Sequence, residues 1–188
     1  MKKIIGSLAA AISLVSGMAC AEIQPTDISG VMQVHGMLNL QPVKMNCNIS
    51  LSVNSVALTA DKNIPQQGDK LATQQIKQVG VIVSAQPGDQ CSQRLAQDQL
   101  ALRLTGIGDS VENTVLANTL ATGAVNVGVG IYSPQGEPIP LNSTIPVQVS
   151  NQGTLGNAGI GLALVKLKNK STNGGMVQSQ LTIEAVRL

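Results

Sequence analysis

Phenylalanine and tryptophan are absent from this sequence, and tyrosine and histidine occur once each, at Tyr132 and His35. A core must therefore be assembled from Val, Ile, Leu and Ala, and the aromatic faces that stack on sugars or bases are nearly missing. Beyond the first 21 residues, two isolated cysteines and the single His35 cannot supply four metal ligands at a familiar spacing, so no metal is expected. Charge is also scarce, with 12 basic and 10 acidic residues. No basic patch interleaved with aromatics exists to hold nucleic acid. No apolar run beyond the first residues is long enough to span a membrane. The carboxylates are scattered, and no glycine-rich phosphate loop of the right spacing occurs, so neither a catalytic residue nor a cofactor is expected.

What is present begins with an export signal. Met1-Lys2-Lys3 supplies a positive start, and Ile4 to Met18 is an apolar stretch too short to cross a bilayer. Small residues at Ala19 and Ala21 fit cleavage after Ala21, which makes residues 1–21 a signal peptide and Glu22 the mature start. Lipidation at Cys20 is an alternative, although Gly17-Met18-Ala19 lacks the usual leucine before such a cysteine. Loss of Lys2 and Lys3 balances the remaining charges, and the mature length, 43% apolar over the whole chain, suits one domain. Two cysteines then remain, Cys47 and Cys91, and an oxidising compartment pairs them. Closing that loop contributes about 4 kcal/mol on the chain-entropy account.

The dominant hydrophobic period is two. Ile49, Leu51 and Val53 alternate with polar residues, as do Leu100, Leu102 and Leu104, then Val125, Val127, Val129 and Ile131, and finally Leu181, Ile183 and Ala185. These read as half-buried strands. Turn signals separate them at Pro87-Gly88-Asp89, Gly106 to Asp109, Ser133 to Gly136, and Asn173-Gly174-Gly175. The pattern predicts an all-β antiparallel sandwich. Ile160 to Leu167 is more continuously apolar, as in a strand within a sheet, although period alone leaves a buried helix open. The glutamine-rich stretch 66–78 reads as a loop with room for one helical turn, leading into a strand from Val79 to Ser84.

Before Cys47 the chain changes character. Residues 22–27 are polar and contain a proline, after which Ile28, Gly30, Met32 and Val34 share one side of an extended segment and Ser29, Val31, Gln33 and His35 the other. The segment reads either as an ordinary first strand or as a strand meant for another molecule. Gly108-Asp109-Ser110-Val111 looks like the Gly-Asp-Ser-Leu nucleophile block of a lipase-like hydrolase family. Such a serine needs a histidine downstream, and His35 lies far upstream, so Asp109-Ser110 reads as a turn.

Asn126-Val127-Gly128-Val129-Gly130-Ile131-Tyr132, followed by Gly136 and Ile139-Pro140-Leu141, resembles a strand, turn and returning strand of the type 1 family of fimbrial (pilin) subunits. Cys47 after a glycine-containing extension, Cys91 after a strand, and a chain ending within its last strand are similar to the same family. This resemblance implies an incomplete immunoglobulin-like β-sandwich with Greek-key connections that lacks its seventh strand. It also implies a donor-strand extension at 22–36 and a pilin domain at 37–188. Ile28, Gly30, Met32 and Val34 would then form the donated strand, whose alternate side chains enter pockets while its backbone completes a sheet edge. Burying Ile28, Met32 and Val34 would contribute on the order of 5 to 9 kcal/mol. The acceptor groove would lie between a strand near Met37 to Val43 and the terminal strand 180–188, with Leu181, Ile183, Ala185 and Arg187 on the edge that a chaperone recognises.

The partners so implied are other fimbrial subunits, a periplasmic chaperone and an outer-membrane usher. The destination is the cell surface by way of the periplasm. Two departures stand out: Arg187 takes the penultimate place where the family usually has an aromatic, and 36–47 is longer than in common major subunits. The alternative is a single-domain adhesin binding a host glycan or protein, for which one tyrosine offers little stacking surface.

Overall fold

The computed structural model of the protein describes residues 47–60, 63–150 and 153–188. The signal segment, the extension carrying Ile28, Gly30, Met32 and Val34, His35, and the edge expected near Met37 to Val43 lie outside the described residues. Within them the chain runs β1 (Asn48–Leu51), β2 (Lys77–Ser84), α1 (Gln90–Ala96), β3 (Leu100–Gly106), β4 (Leu116–Ala117), β5 (Val127–Tyr132), β6 (Thr144–Pro146), β7 (Gln148–Ser150), β8 (Leu155–Lys166) and β9 (Leu181–Arg187). One sheet has the order β1-β2-β8-β5-β4, with β7 also on β8; the second has the order β6-β3-β9. All named strand pairs are antiparallel. In an immunoglobulin-like sandwich the two sheets read A-B-E-D and C-F-G. Here β1-β2-β8-β5 takes the first four places and β3-β9 the places of C and F. No described strand stands beyond β9, where G would be.

Alternation explains most of these strands. In β2, Val79, Val81 and Val83 are buried while Gln78, Gly80 and Ile82 are exposed, a residue period of two that puts one face on the core. β8 is covered on both faces, and that resolves the continuous apolar run. Ile160 enters the main core, with Leu162 and Leu164 packed against it, while Ala163 and Val165 join a smaller cluster with Leu71, Ile76 and Tyr132. Leu71 and Ile76 come from the loop between β1 and β2, which crosses the outer face of the sheet. The helical turn allowed for that loop is a 3-10 turn at Thr73–Gln75, and β2 starts at Lys77.

The same cover makes β5 buried at every position, so it is not the half-exposed strand that alternation predicts, and Val125, 52% exposed, lies outside it. Tyr132 is buried on the side of β5 that carries Gly128 and Gly130, and its ring lies where a side chain on Gly130 would be. Burial, with the nearby Asp69 carboxylate, pushes its hydroxyl up to about 12. The turn after β5 needs Gly136, which has φ +84° and passes against the Leu71 carbonyl with no room for a Cβ.

One element was not expected. Pro87-Gly88 turns the chain as predicted, but Asp89 then caps α1, its carboxylate accepting from Ser92 N at 2.7 Å. Hydrogen bonding, led by that amide, holds the Asp89 carboxyl below its ordinary range. A helix of seven residues burying only Cys91, Ser92 and Leu95 is too short to register as a 3.6-residue period. Cys91 is joined to Cys47, with Cα atoms 5.3 Å apart, so the bridge ties the start of β1 to the start of α1. Leu95 and Cys91 are wholly buried in one cluster with Val81, Val83, Leu100 and Leu102, which closes that end of the sandwich.

Candidate functional site

Strands β2, β8, β5 and β4 contribute Val79, Ile160, Leu162, Leu164, Val129 and Leu116 to the floor of a groove of about 790 Å³. Leu181 and Ile183 of β9 form one side, and residues 175–180 extend it. The opposite side is residues 53–60, where Val56 and Leu58 pack toward the core without belonging to any strand. Val53 and Leu51 are 44% and 38% exposed because they face the groove, where alternation had placed them in a core. No ionisable side chain lines this groove among the described residues. Its described lining offers apolar contact and hydrogen bonding.

The backbone of β9 shows which hydrogen bonds are on offer. On β3, Leu104 N donates to Ser143 O and Leu104 O accepts from Asn142 N, so both polar groups of Leu104 point toward the β6 side. In an antiparallel ladder the residue opposite such a position turns its own groups outward, and the sense alternates along the strand. Leu104 is opposite Ile183, and the register continues Gly106 to Leu181, Leu102 to Ala185 and Leu100 to Arg187. The N–H and C=O groups of Leu181, Ile183, Ala185 and Arg187 therefore point to the open edge.

The structure thus distinguishes among the four residues expected on this edge. Leu181 and Ile183 line the groove and pack on the core; Ala185 packs on the core beyond the groove; Arg187 is exposed. Their strand spans seven residues, has no proline and, among the described strands, pairs only with β3. Such an edge is a template for another chain. The other edge of the same sheet is three residues long and ends in Pro146. Pro146 and Thr144 are opposite Ala101 and Arg103, whose groups point toward β9, so of the two outward-facing positions only Thr144 keeps an N–H.

Asp109 is the one buried carboxylate among the described residues. Its oxygens accept from the amides of Val111, Glu112, Thr114 and Val115 and from Gln67 Nε2, at 2.8 to 3.2 Å. Burial raises its pKa, but the backbone donors together outweigh that and hold the carboxyl below 3.8. The group is spent on closing the loop after β3, in keeping with a turn at Asp109-Ser110. Sequence reasoning placed the last strand and missed the 53–60 wall. The alternation of Val56, Leu58 and Ala60 was the available signal, masked by the polar residues around it.

No protein-family profile matches the chain, and no curated protein sequence does. Among solved structures it is similar to a Burkholderia pseudomallei antigen and type I fimbria protein, at 16% identity and a TM-score of 0.45, over 74% of this chain and 97% of that one. It is also similar to a tip adhesin from Pseudomonas aeruginosa, at 15% identity and a TM-score of 0.37, over 77% of this chain. The chain covers 44% of that adhesin's length.

Proposed function

We propose that this protein is a structural subunit of a bacterial surface fimbria, exported through the periplasm and polymerised by strand exchange. The observation that carries this reading is the open edge of β9 standing over an apolar groove, at the place of the seventh strand of the sandwich. The occupant is the amino-terminal extension of a second subunit, residues 22–36. Its alternating Ile28, Gly30, Met32 and Val34 suit pockets on one side of a strand, and its backbone would pair with Leu181, Ile183 and Ala185. Until that happens, a periplasmic chaperone covers the same edge and hands the subunit to an outer-membrane usher. The protein acts through assembly, supports adhesion as part of a fibre, and is not an enzyme.

Electron microscopy of cells expressing the chain without residues 22–35 tests the reading, with loss of fibres expected. Fibres of ordinary length and number from that variant would refute it. The facing of the extension is tested by Gly30→Leu, which should block incorporation, beside Gln33→Leu, which should be tolerated. Equal effects at the two positions would contradict the proposed strand.

A further inference from the structure

Beyond Gly106 and Leu181, β3 and the chain leading into β9 diverge, and the residues after β4 take over as the neighbour of that chain. Thr119 N donates to Gln178 O at 2.8 Å, and the Thr119 hydroxyl donates to the same oxygen at 2.9 Å. Asn118 is saturated: Nδ2 donates to Ala124 O and Met176 O, and Oδ1 accepts from Leu120 N and Gln178 N, all between 2.9 and 3.1 Å. Ser179 Oγ also donates to Ala117 O at 2.7 Å. The close approach depends on Gly123, where a Cβ would fall 2.4 Å from Asn118 Nδ2 and 2.5 Å from Met176 O.

The polar groups of Met176 and Gln178 are thus turned toward residues 118–124, just as those of Thr182 and Glu184 are turned toward β3. Met176, Gln178, Thr182 and Glu184 thus share one sense at even positions, and the backbone groups of Ser179 and Val177, at the odd positions between, bond to no other described residue. Val177 packs on the core, as Leu181 and Ile183 do, and both Val177 and Ser179 line the groove.

We infer that the strand-accepting edge runs from Val177 to Arg187, longer than β9 itself, and that Asn118 is the positioning residue that adds its first part. The inference rests on the proposed strand exchange and deepens it. The occupant is an extended polypeptide long enough to pair beyond Leu181, here the 22–36 extension of a second copy.

Amide hydrogen exchange on the monomeric full chain, with and without a synthetic peptide of residues 22–36, tests both layers separately. Val177, Ser179, Leu181, Ile183 and Ala185 should all gain protection with peptide, while Gln178, Thr182 and Glu184 are protected throughout. Protection gained only from Leu181 onward would overturn the longer edge and leave strand exchange standing. No gain at any of these amides would overturn both. Protection of Val177 and Ser179 before peptide is added would also overturn the inference, because the chain itself would then close that stretch.

Asn118→Ala should weaken the full peptide about tenfold, the size of one or two net hydrogen bonds. Asn118→Asp keeps both acceptor contacts but sets a carboxylate oxygen against the Ala124 and Met176 carbonyls, so it should weaken the peptide at least as much. The Asn118→Ala loss should vanish for whichever of two end-shortened peptides no longer reaches Val177. An equal loss for the full and both shortened peptides would mean a general structural role and would overturn the assignment.

Discussion

At the α1 end of the sandwich, Leu95 and Cys91 share a cluster with Val81, Val83, Leu100 and Leu102, all at 2% exposure or less. At the other end the same two sheets leave Leu162, Leu164, Leu181 and Ile183 only partly buried around a groove. The strands are continuous between the two ends, so strand-forming tendency cannot account for the contrast. What differs is the supply of cover: a seven-residue helix pinned by a disulfide at one end, and no described strand beside β9 at the other. A fold can thus be complete enough to hold its shape at one end and unfinished at the other.

Removing the bridge attacks the closed end most directly. The paired change Cys47→Ser and Cys91→Ser should cost about 4 kcal/mol, from the closure entropy of a loop with a separation of 44 residues. Denaturant unfolding of the oxidised and variant proteins measures it. Next in size is Leu95→Ala, which empties a wholly buried site and should cost about 3 kcal/mol in the same assay.

A third change probes the loop after β3 through pH. The Asp109 pKa is lowered in the fold, so its contribution is fully present above the ordinary value of 3.8 and is lost as pH falls through the lower folded value. Acid unfolding followed below pH 3.8 should show this loss, and Asp109→Asn should flatten it. The smallest effect falls on the open end. Leu164→Ala should cost about 1 kcal/mol in the chain alone, where the side chain already faces a groove. The cost should grow once a strand occupies the groove. A cost for Leu164→Ala equal to that for Leu95→Ala in the isolated chain would erase the contrast between the ends.

Much of the sheet was legible because alternation is a direct imprint of one buried face. Leu100, Leu102 and Leu104 lie on the core face of β3, and Leu181 and Ile183 pack on the core from β9. Alternation fails where both faces are covered, as in β5, because the second cover comes from the distant residues Leu71 and Ile76. It fails again at Leu51 and Val53, where apolar residues face a groove, since period reports a side and says nothing of what stands opposite. α1 was hidden by its length. The outward sense of the groups on β9 was not readable at all, because it depends on the register of β3 against both of its neighbours.

Pro146 has a consequence for stoichiometry. Among the described residues, the three-stranded sheet offers one long open edge, along β9, and its other margin is three residues long and interrupted at Pro146. On the proposed strand exchange, a fibre built through this edge would grow in single file, with a distinct head and tail.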